Sequence, residues 1–188
     1  MPYDPQKHHR RSIRLQGYDY ARQGGYFVTI CTRDRRRLFG HVANGRVQLN
    51  TFGRLVEAEW RRTADLRPAV ELDAYVVMPN HLHGILFITG HDGGTARRAP
   101  TAAQFGRPVP RSLSTVLRSF KSAATRRMNA ARQTPGRPLW QRNYYEHVIR
   151  DEEDLERIRA YILANPEYWA LDPENPERLG PAMPEPFC

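Results

Sequence analysis

Residues 71–89, ELDAYVVMPNHLHGILFIT, decide how this chain is read. Two apolar runs flank Pro79-Asn80, each the length of a strand, so the stretch predicts two strands, Leu72–Met78 and His81–Thr89, joined by a tight turn. Both runs are apolar without alternation, which predicts central strands covered on both faces. Successive side chains of a strand point to opposite faces, so His81 and His83 leave one face and Leu82 the other. Two imidazoles side by side form half of a metal site. A third ligand must come from another element, with positions left open for water or a substrate oxygen. Taken alone, the pair is equally compatible with ordinary polar residues near a strand end.

Upstream, YFVTICT (Tyr26–Thr32) is aromatic and β-branched and predicts a buried strand, with the charged RDRRR after it as a turn. Asn44-Gly45 predicts a hairpin between His41-Val42 and Val47–Leu49. Phe52, Leu55, Val56 and Trp60 recur at helical spacing behind Asn50, a good N-cap, in a helix that ends near Leu66.

Downstream, residues 90–111 form a long Gly-, Pro- and Arg-rich connection, expected to be a flexible basic loop. From Ser112, the positions Leu113, Val116, Leu117, Phe120, Ala124 and Met128 keep the helical period, and basic residues occupy the other faces. PLWQRNYYEHVI (138–149) reads as an aromatic approach to a short strand. Asp151 then caps a last helix that runs to Asn165 and is stopped by Pro166. On that helix Leu155, Ile158 and Ile162 form the apolar stripe, and Tyr161 and Asn165, four apart, share its rim. They are placed to present a phenol and an amide toward an edge of the sheet. A half-buried tyrosine and a helix-ending asparagine would look the same.

The 188 residues suit one domain with extensions, too few for a barrel of about 250 residues. Cys31 and Cys188 form no CxxC pair, so neither a disulfide framework nor a thiolate zinc site is available. No apolar run approaches the roughly 20 residues of a membrane span and the N-terminus carries no signal-like segment, so a soluble, cytoplasmic protein is expected. The net charge is +9, 27 of the 29 basic residues are arginine, and residues 93–150 alone carry +11. Such clustering is the footprint of a polyanion binder, and arginine pairs with phosphate in two-point geometry. Arg118, Lys121, Arg126 and Arg127 are candidates to track a nucleic-acid backbone, though a solvated helix face would look alike. Trp140 and Tyr144, with Tyr145, suggest a platform for stacking single-stranded bases, with Arg142 on phosphate. They could equally be core aromatics of an inner strand. Tyr144 or Tyr145, near Arg142 and His147, is also a rival candidate nucleophile.

Over roughly Gly17 to Trp169 the chain resembles the REP-associated tyrosine transposases, within the single-tyrosine HUH transposases of small bacterial insertion sequences. The resemblance runs through Tyr26-Phe27-Val28-Thr29, Val76-Val77-Met78-Pro79-Asn80-His81-Leu82-His83, Leu139-Trp140-Gln141 and Tyr161-Ile162-Leu163-Ala164-Asn165-Pro166. It implies an α+β fold, a ferredoxin-like or RRM-like antiparallel sheet with packed helices, and an HUH endonuclease core. It places metal ligands at His81, His83 and Asn165, the nucleophile at Tyr161, and Mg²⁺ or Mn²⁺ as cofactor. The activity implied is nicking and rejoining of single-stranded or hairpin-forming DNA through a 5′-phosphotyrosine, by a monomer or homodimer. A non-catalytic nucleic-acid binder on the same scaffold and a small HxH metallohydrolase are the alternatives. The expected organisation is a basic arm (1–24), the transposase domain (25–169, including the loop 90–111), and a disordered Pro- and Glu-rich tail (170–188).

Overall fold

The computed structural model describes residues 22–90, 112–178 and 180–181. The expected arm, basic loop and last part of the tail therefore lie almost wholly outside the described residues. The elements follow in the order β1 (Gly24–Cys31), β2 (Gly40–Ala43), β3 (Arg46–Leu49), α1 (Thr51–Asp65), β4 (Val70–Val77), β5 (His81–Ile88), α2 (Leu113–Arg132), β6 (Tyr145–Ile149) and α3 (Glu152–Ala164). β4, β5, β1 and β6 form one antiparallel sheet in that spatial order, and β2 and β3 form a separate hairpin. With the hairpin set aside, strand, helix, two strands, helix, strand is the ferredoxin-like connectivity expected. β5 and β1 are the central strands. β4 is an edge strand, contrary to the expectation that both halves of residues 71–89 are central, and its middle residues are only half-buried.

Local chemistry sets the boundaries. The Asn50 side chain accepts from the Phe52 and Gly53 amides at 2.9 and 3.0 Å, and Asp151 accepts from the Asp154 amide at 2.8 Å. Ser112 caps α2 in the same way. Each such cap is worth about 1 kcal/mol. Asn44 and Gly45 take positive φ (51° and 67°), as a two-residue hairpin turn requires.

The pleat divides the core in two. Tyr26, Val28 and Ile30 of β1, with Leu82 and Leu86 of β5, pack beneath α1 and α2 against Val56, Trp60, Leu117 and Phe120. Phe27 and Ile85 point the other way and meet Leu155, Ile158 and Ile162 of α3. Gly84 lies under Trp60: a Cβ there would come within 2.6 Å of the indole Cζ2. His81 and His83 share the parity of Ile85, so they face α3.

Of the expected nucleic-acid residues, Lys121, Arg126, Trp140 and Arg142 line one cleft of about 810 Å³. Trp140 is 7% exposed, tilted against Phe39 and Phe120 with ring centroids 5.4 and 5.7 Å away, and it donates its indole N–H to the Lys121 carbonyl. Most of its surface is in the core, and the remainder lines the cleft. Lys121 donates to the carbonyls of Gln141, Arg142 and Asn143, and burial lowers its pKa to about 8, so it secures the 141–143 connection to α2. Arg127 pairs with Glu59, a buried carboxylate of α1. Tyr144 is half-buried against the core. Arg118, Arg126 and Arg142 are exposed.

Part of the segment expected as tail is among the described residues. Residues 170–178 pack onto the sheet, with Asp172 and Asn175 buried, and the Glu174 carbonyl accepts from Asn80 Nδ2 at 2.7 Å. Two ion pairs, Arg35 with Glu174 (2.9 Å) and Arg37 with Glu177 (2.6 Å), fasten the segment to the basic turn after β1. Opposite charge and a buried carboxylate hold in place what composition alone marks as tail. Among the described residues, no helix is long and apolar enough to cross a membrane.

Candidate metal centre and active site

His81 and His83 stand at the start of β5, paired in register with Cys31 and Thr29 of β1, with ring centroids 4.4 Å apart. Both are buried. Asn80 donates from Nδ2 to the carbonyls of Arg35 (3.1 Å) and Glu174, so its amide oxygen is the atom facing His81. That oxygen can only accept, so His81 Nδ1 carries the proton of the 2.8 Å bond between them and Nε2 keeps its lone pair. The Thr29 hydroxyl lies 2.8 Å from His83 Nδ1 and can accept its proton, the arrangement that leaves Nε2 its lone pair. Both Nε2 atoms are buried without a hydrogen-bond partner. Burial, with His83 and Arg35 adding to it, holds His81 well below its ordinary pKa, and burial alone lowers His83 to about 3. Two neutral imidazoles with pinned Nδ1 and unpaired Nε2 atoms are in the ligating form.

A third ligand comes from a residue that the sequence reading assigned to the tail. Asp172 is buried, and its carboxylate and the two imidazoles each offer an atom within 4.8 Å of the others. The Glu174 amide donates to Asp172 Oδ1 at 2.6 Å, while Oδ2 is unpaired and 3.6 Å from His81 Nε2. Burial raises the Asp172 pKa to about 6, against the opposing pull of the Glu174 amide and Asn165. Asn165, the C-cap of α3, is fully buried beside Asp172, close enough to help hold that carboxyl down, yet neither atom of its amide reaches full hydrogen-bond geometry. Leaving such a group unpaired costs about 1–3 kcal/mol, so native proteins seldom do so without a ligand to explain it. Two imidazole nitrogens, a carboxylate and an amide fit a divalent cation that accepts mixed nitrogen and oxygen ligands.

Tyr161 lies one turn before Asn165 on α3, and its ring meets His83 edge to face at 5.3 Å and Phe27 at 6.1 Å. A cavity of about 60 Å³ beside it is lined by Phe27, Thr29, His83, Tyr145, Tyr161, Pro173 and Glu174. Of the rival candidates, Tyr145 lines this cavity, packed on Phe27 at 6.3 Å. Tyr144 lies on the opposite side of the sheet, with the α1/α2 core. His147 is paired with Asp154 at 2.8 Å. Sequence reasoning missed Asp172, Thr29 and Asn80. Only Asn80 carried a signal, as the residue that turns the chain into β5.

No family model matches the chain. An uncharacterized protein of Haemophilus influenzae is 40% identical over 175 residues, covering 90% of this chain and 95% of its own length. A second Haemophilus influenzae protein, which bears the name of a REP-associated tyrosine transposase, is 28% identical over 150 residues, 79% of this chain and 73% of that one. A solved structure of a REP-associated tyrosine transposase bound to a REP hairpin has the same fold, with a TM-score of 0.57 and 22% identity over 83% of this chain and 74% of that one. In sequence and in fold the chain is similar to the REP-associated tyrosine transposases. It shares the HUH fold, and the fold presents a paired His81-His83 centre to α3. The His81-His83-Asp172 cluster is built from two parts of the chain, β5 and the segment after α3.

Proposed function

We propose that the protein cleaves and rejoins single-stranded or hairpin-forming DNA through a covalent bond to Tyr161. The observation that carries this reading is the conjunction of two inward-facing, unpaired imidazole nitrogens with a tyrosine ring 5.3 Å from one of them. His81, His83, Asp172 and Asn165 would hold the cation, Mg²⁺ or Mn²⁺, and the nitrogen ligands favour Mn²⁺. When bound, the cation polarises a phosphate oxygen and offsets charge that builds up at phosphorus.

The chain's own groups do the rest. Asn80 and Thr29 hold the two imidazoles in orientation. α3 docks on Phe27 and Ile85 through Leu155, Ile158 and Ile162 and so delivers Tyr161 to the same face of the sheet as the histidines. The Tyr161 oxygen attacks phosphorus, the bond from phosphorus to the 3′ oxygen breaks, and the departing oxygen takes up a proton. The products are a 5′-phosphotyrosine and a free 3′-OH, and the reverse attack by a 3′-OH rejoins strands without an external energy source. Arg118, Arg126 and Arg142 are exposed cations suited to backbone phosphates. The folded unit that performs this work extends from about residue 22 to 178, as monomer or homodimer.

Cleavage of hairpin DNA in Mn²⁺ tests the reading. Wild type cleaves, and His83→Ala and Tyr161→Phe do not. Full cleavage by Tyr161→Phe with loss in His83→Ala identifies a metallohydrolase instead, and tight binding without cleavage by wild type identifies a binding protein.

A further inference from the structure

A second cleft, of about 300 Å³, lies between the basic turn after β1 and the C-terminal end of α2, and its lining includes Arg33, Arg36, Arg132 and Arg137, with Asp34 as its one carboxylate. The run of arginines after β1 is shared out: Arg35 and Arg37 turn to Glu174 and Glu177, while Arg33 and Arg36 line the cleft. Among the described residues no carboxylate pairs with Arg36, Arg132 or Arg137, and Asp34 reaches only Arg33, at 3.7 Å with both side chains exposed. Arg132 Nε is buried without a partner among the described residues, where its guanidinium makes one hydrogen bond, to Asn129 at 3.2 Å, and lies over the Phe52 ring at 5.8 Å. Burial, Arg36 and Arg137 all lower its pKa, so the cleft works against its own charge. One cation at the end of α2 complements the helix dipole, but four exceed that need. A buried donor with no partner, ringed by unpaired guanidinium groups that match phosphate geometry, describes an anion site.

We infer that this cleft is a second phosphate site, which grips backbone phosphates of the DNA beside the strand presented to Tyr161. The inference rests on the reading that the substrate is DNA, and it concerns positioning, since phosphate contacts fix register and do not read sequence. The location suits the task. Cys31 is the register partner of His81, the Thr32 amide donates to the Asn80 carbonyl, and the next residue is Arg33. The chain therefore passes from the metal centre into the cleft within two residues, at one end of the sheet.

The test is the salt dependence of binding to a fluorescent DNA hairpin with a single-stranded flank, in EDTA so that no strand is cut. Arg36→Gln/Arg137→Gln alters two exposed side chains and should keep the wild-type melting temperature. It should weaken binding roughly tenfold or more and reduce the slope of log K against log salt by about 1.8, near 0.9 for each phosphate that is no longer neutralised. Arg46→Gln/Arg54→Gln, which removes two charges elsewhere, should change neither by much. Wild-type affinity and slope in Arg36→Gln/Arg137→Gln, or an equal loss in Arg46→Gln/Arg54→Gln, overturns the cleft assignment while DNA as substrate stands. If wild type binds no DNA at all, both fall.

Discussion

His83 and Tyr161 meet edge to face, with ring centroids 5.3 Å apart, although one belongs to the central strand β5 and the other to a helix that begins about seventy residues later. The two rings meet because strand parity turns His83 toward α3, and the apolar stripe of α3 sets its rotation. A phenol is thereby brought to the edge of a candidate metal centre. The same ring of His83 is held from behind by Thr29, whose hydroxyl lies 2.8 Å from Nδ1.

Replacing Thr29 with valine keeps the branched shape and removes that hydrogen bond. Loss of such a partner weakens metal binding about 10- to 100-fold. Calorimetric titration of the Thr29→Val protein with Mn²⁺ should show this drop with little change in melting temperature. Equal affinity would mean that the hydroxyl does not orient the ring.

Gly84→Ala should destabilise the fold. The added methyl would meet Trp60 at 2.6 Å, at the junction of β5 and α1, and overpacking of this kind costs about 1–3 kcal/mol. Thermal unfolding should register a fall of several degrees.

The segment that supplies Asp172 also closes the site. Pro173 and Glu174 line a cavity of about 60 Å³, room for about two water molecules and not for a nucleotide. On the proposed function, DNA approaching Tyr161 meets these two residues. Glu174→Gln/Glu177→Gln weakens the ties to Arg35 and Arg37 while keeping Asp172. Arg37–Glu177 is exposed and Arg35–Glu174 half-buried, and ion pairs near the surface are worth about 1 kcal/mol each, so cleavage should quicken roughly three- to tenfold. A rate equal to or below that of wild type argues that the segment does not limit access.

α3 is tied to β4 by a two-point pair, Arg159 Nε and Nη2 to the two Asp73 oxygens at 2.9 and 2.5 Å. The Arg159 hydrogen bonds hold the Asp73 carboxyl below its ordinary range, against the pull of burial. A depressed folded pKa means that the stabilisation is complete above the unfolded value of about 3.9 and disappears as the pH falls through the folded one. Asp73→Asn should therefore lower stability by about 1 kcal/mol at pH 7, with the gap to wild type closing in acid. Denaturation at a series of pH values measures it, and a gap that persists unchanged into acid would assign the loss to packing.

The fold is legible in the sequence because its signals are local. Asn50, Ser112 and Asp151 cap the helices that their side-chain chemistry predicts, and alternation alone puts His81 and His83 on one face. The edge position of β4 is hidden, because pairing order is a tertiary property. So is Asp172: its sequence context, Asp-Pro in a proline-rich and acidic stretch, signals exposure, and only the turn after α3 carries it under the histidines. Trp140 carries two sequence readings, stacking surface and core aromatic. Its arginine-rich neighbourhood suggests a stacking surface, yet its indole fills the core between Phe39 and Phe120.

The most direct test of the central claim is whether Tyr161 becomes covalently attached to DNA. Wild type and Tyr161→Phe are incubated with 3′-labelled hairpin DNA and Mn²⁺, then run on a denaturing gel. The account predicts label migrating with wild-type protein, absent from Tyr161→Phe and abolished by EDTA. Label that stays on Tyr161→Phe, or cleavage of DNA by wild type with no labelled protein, would contradict it.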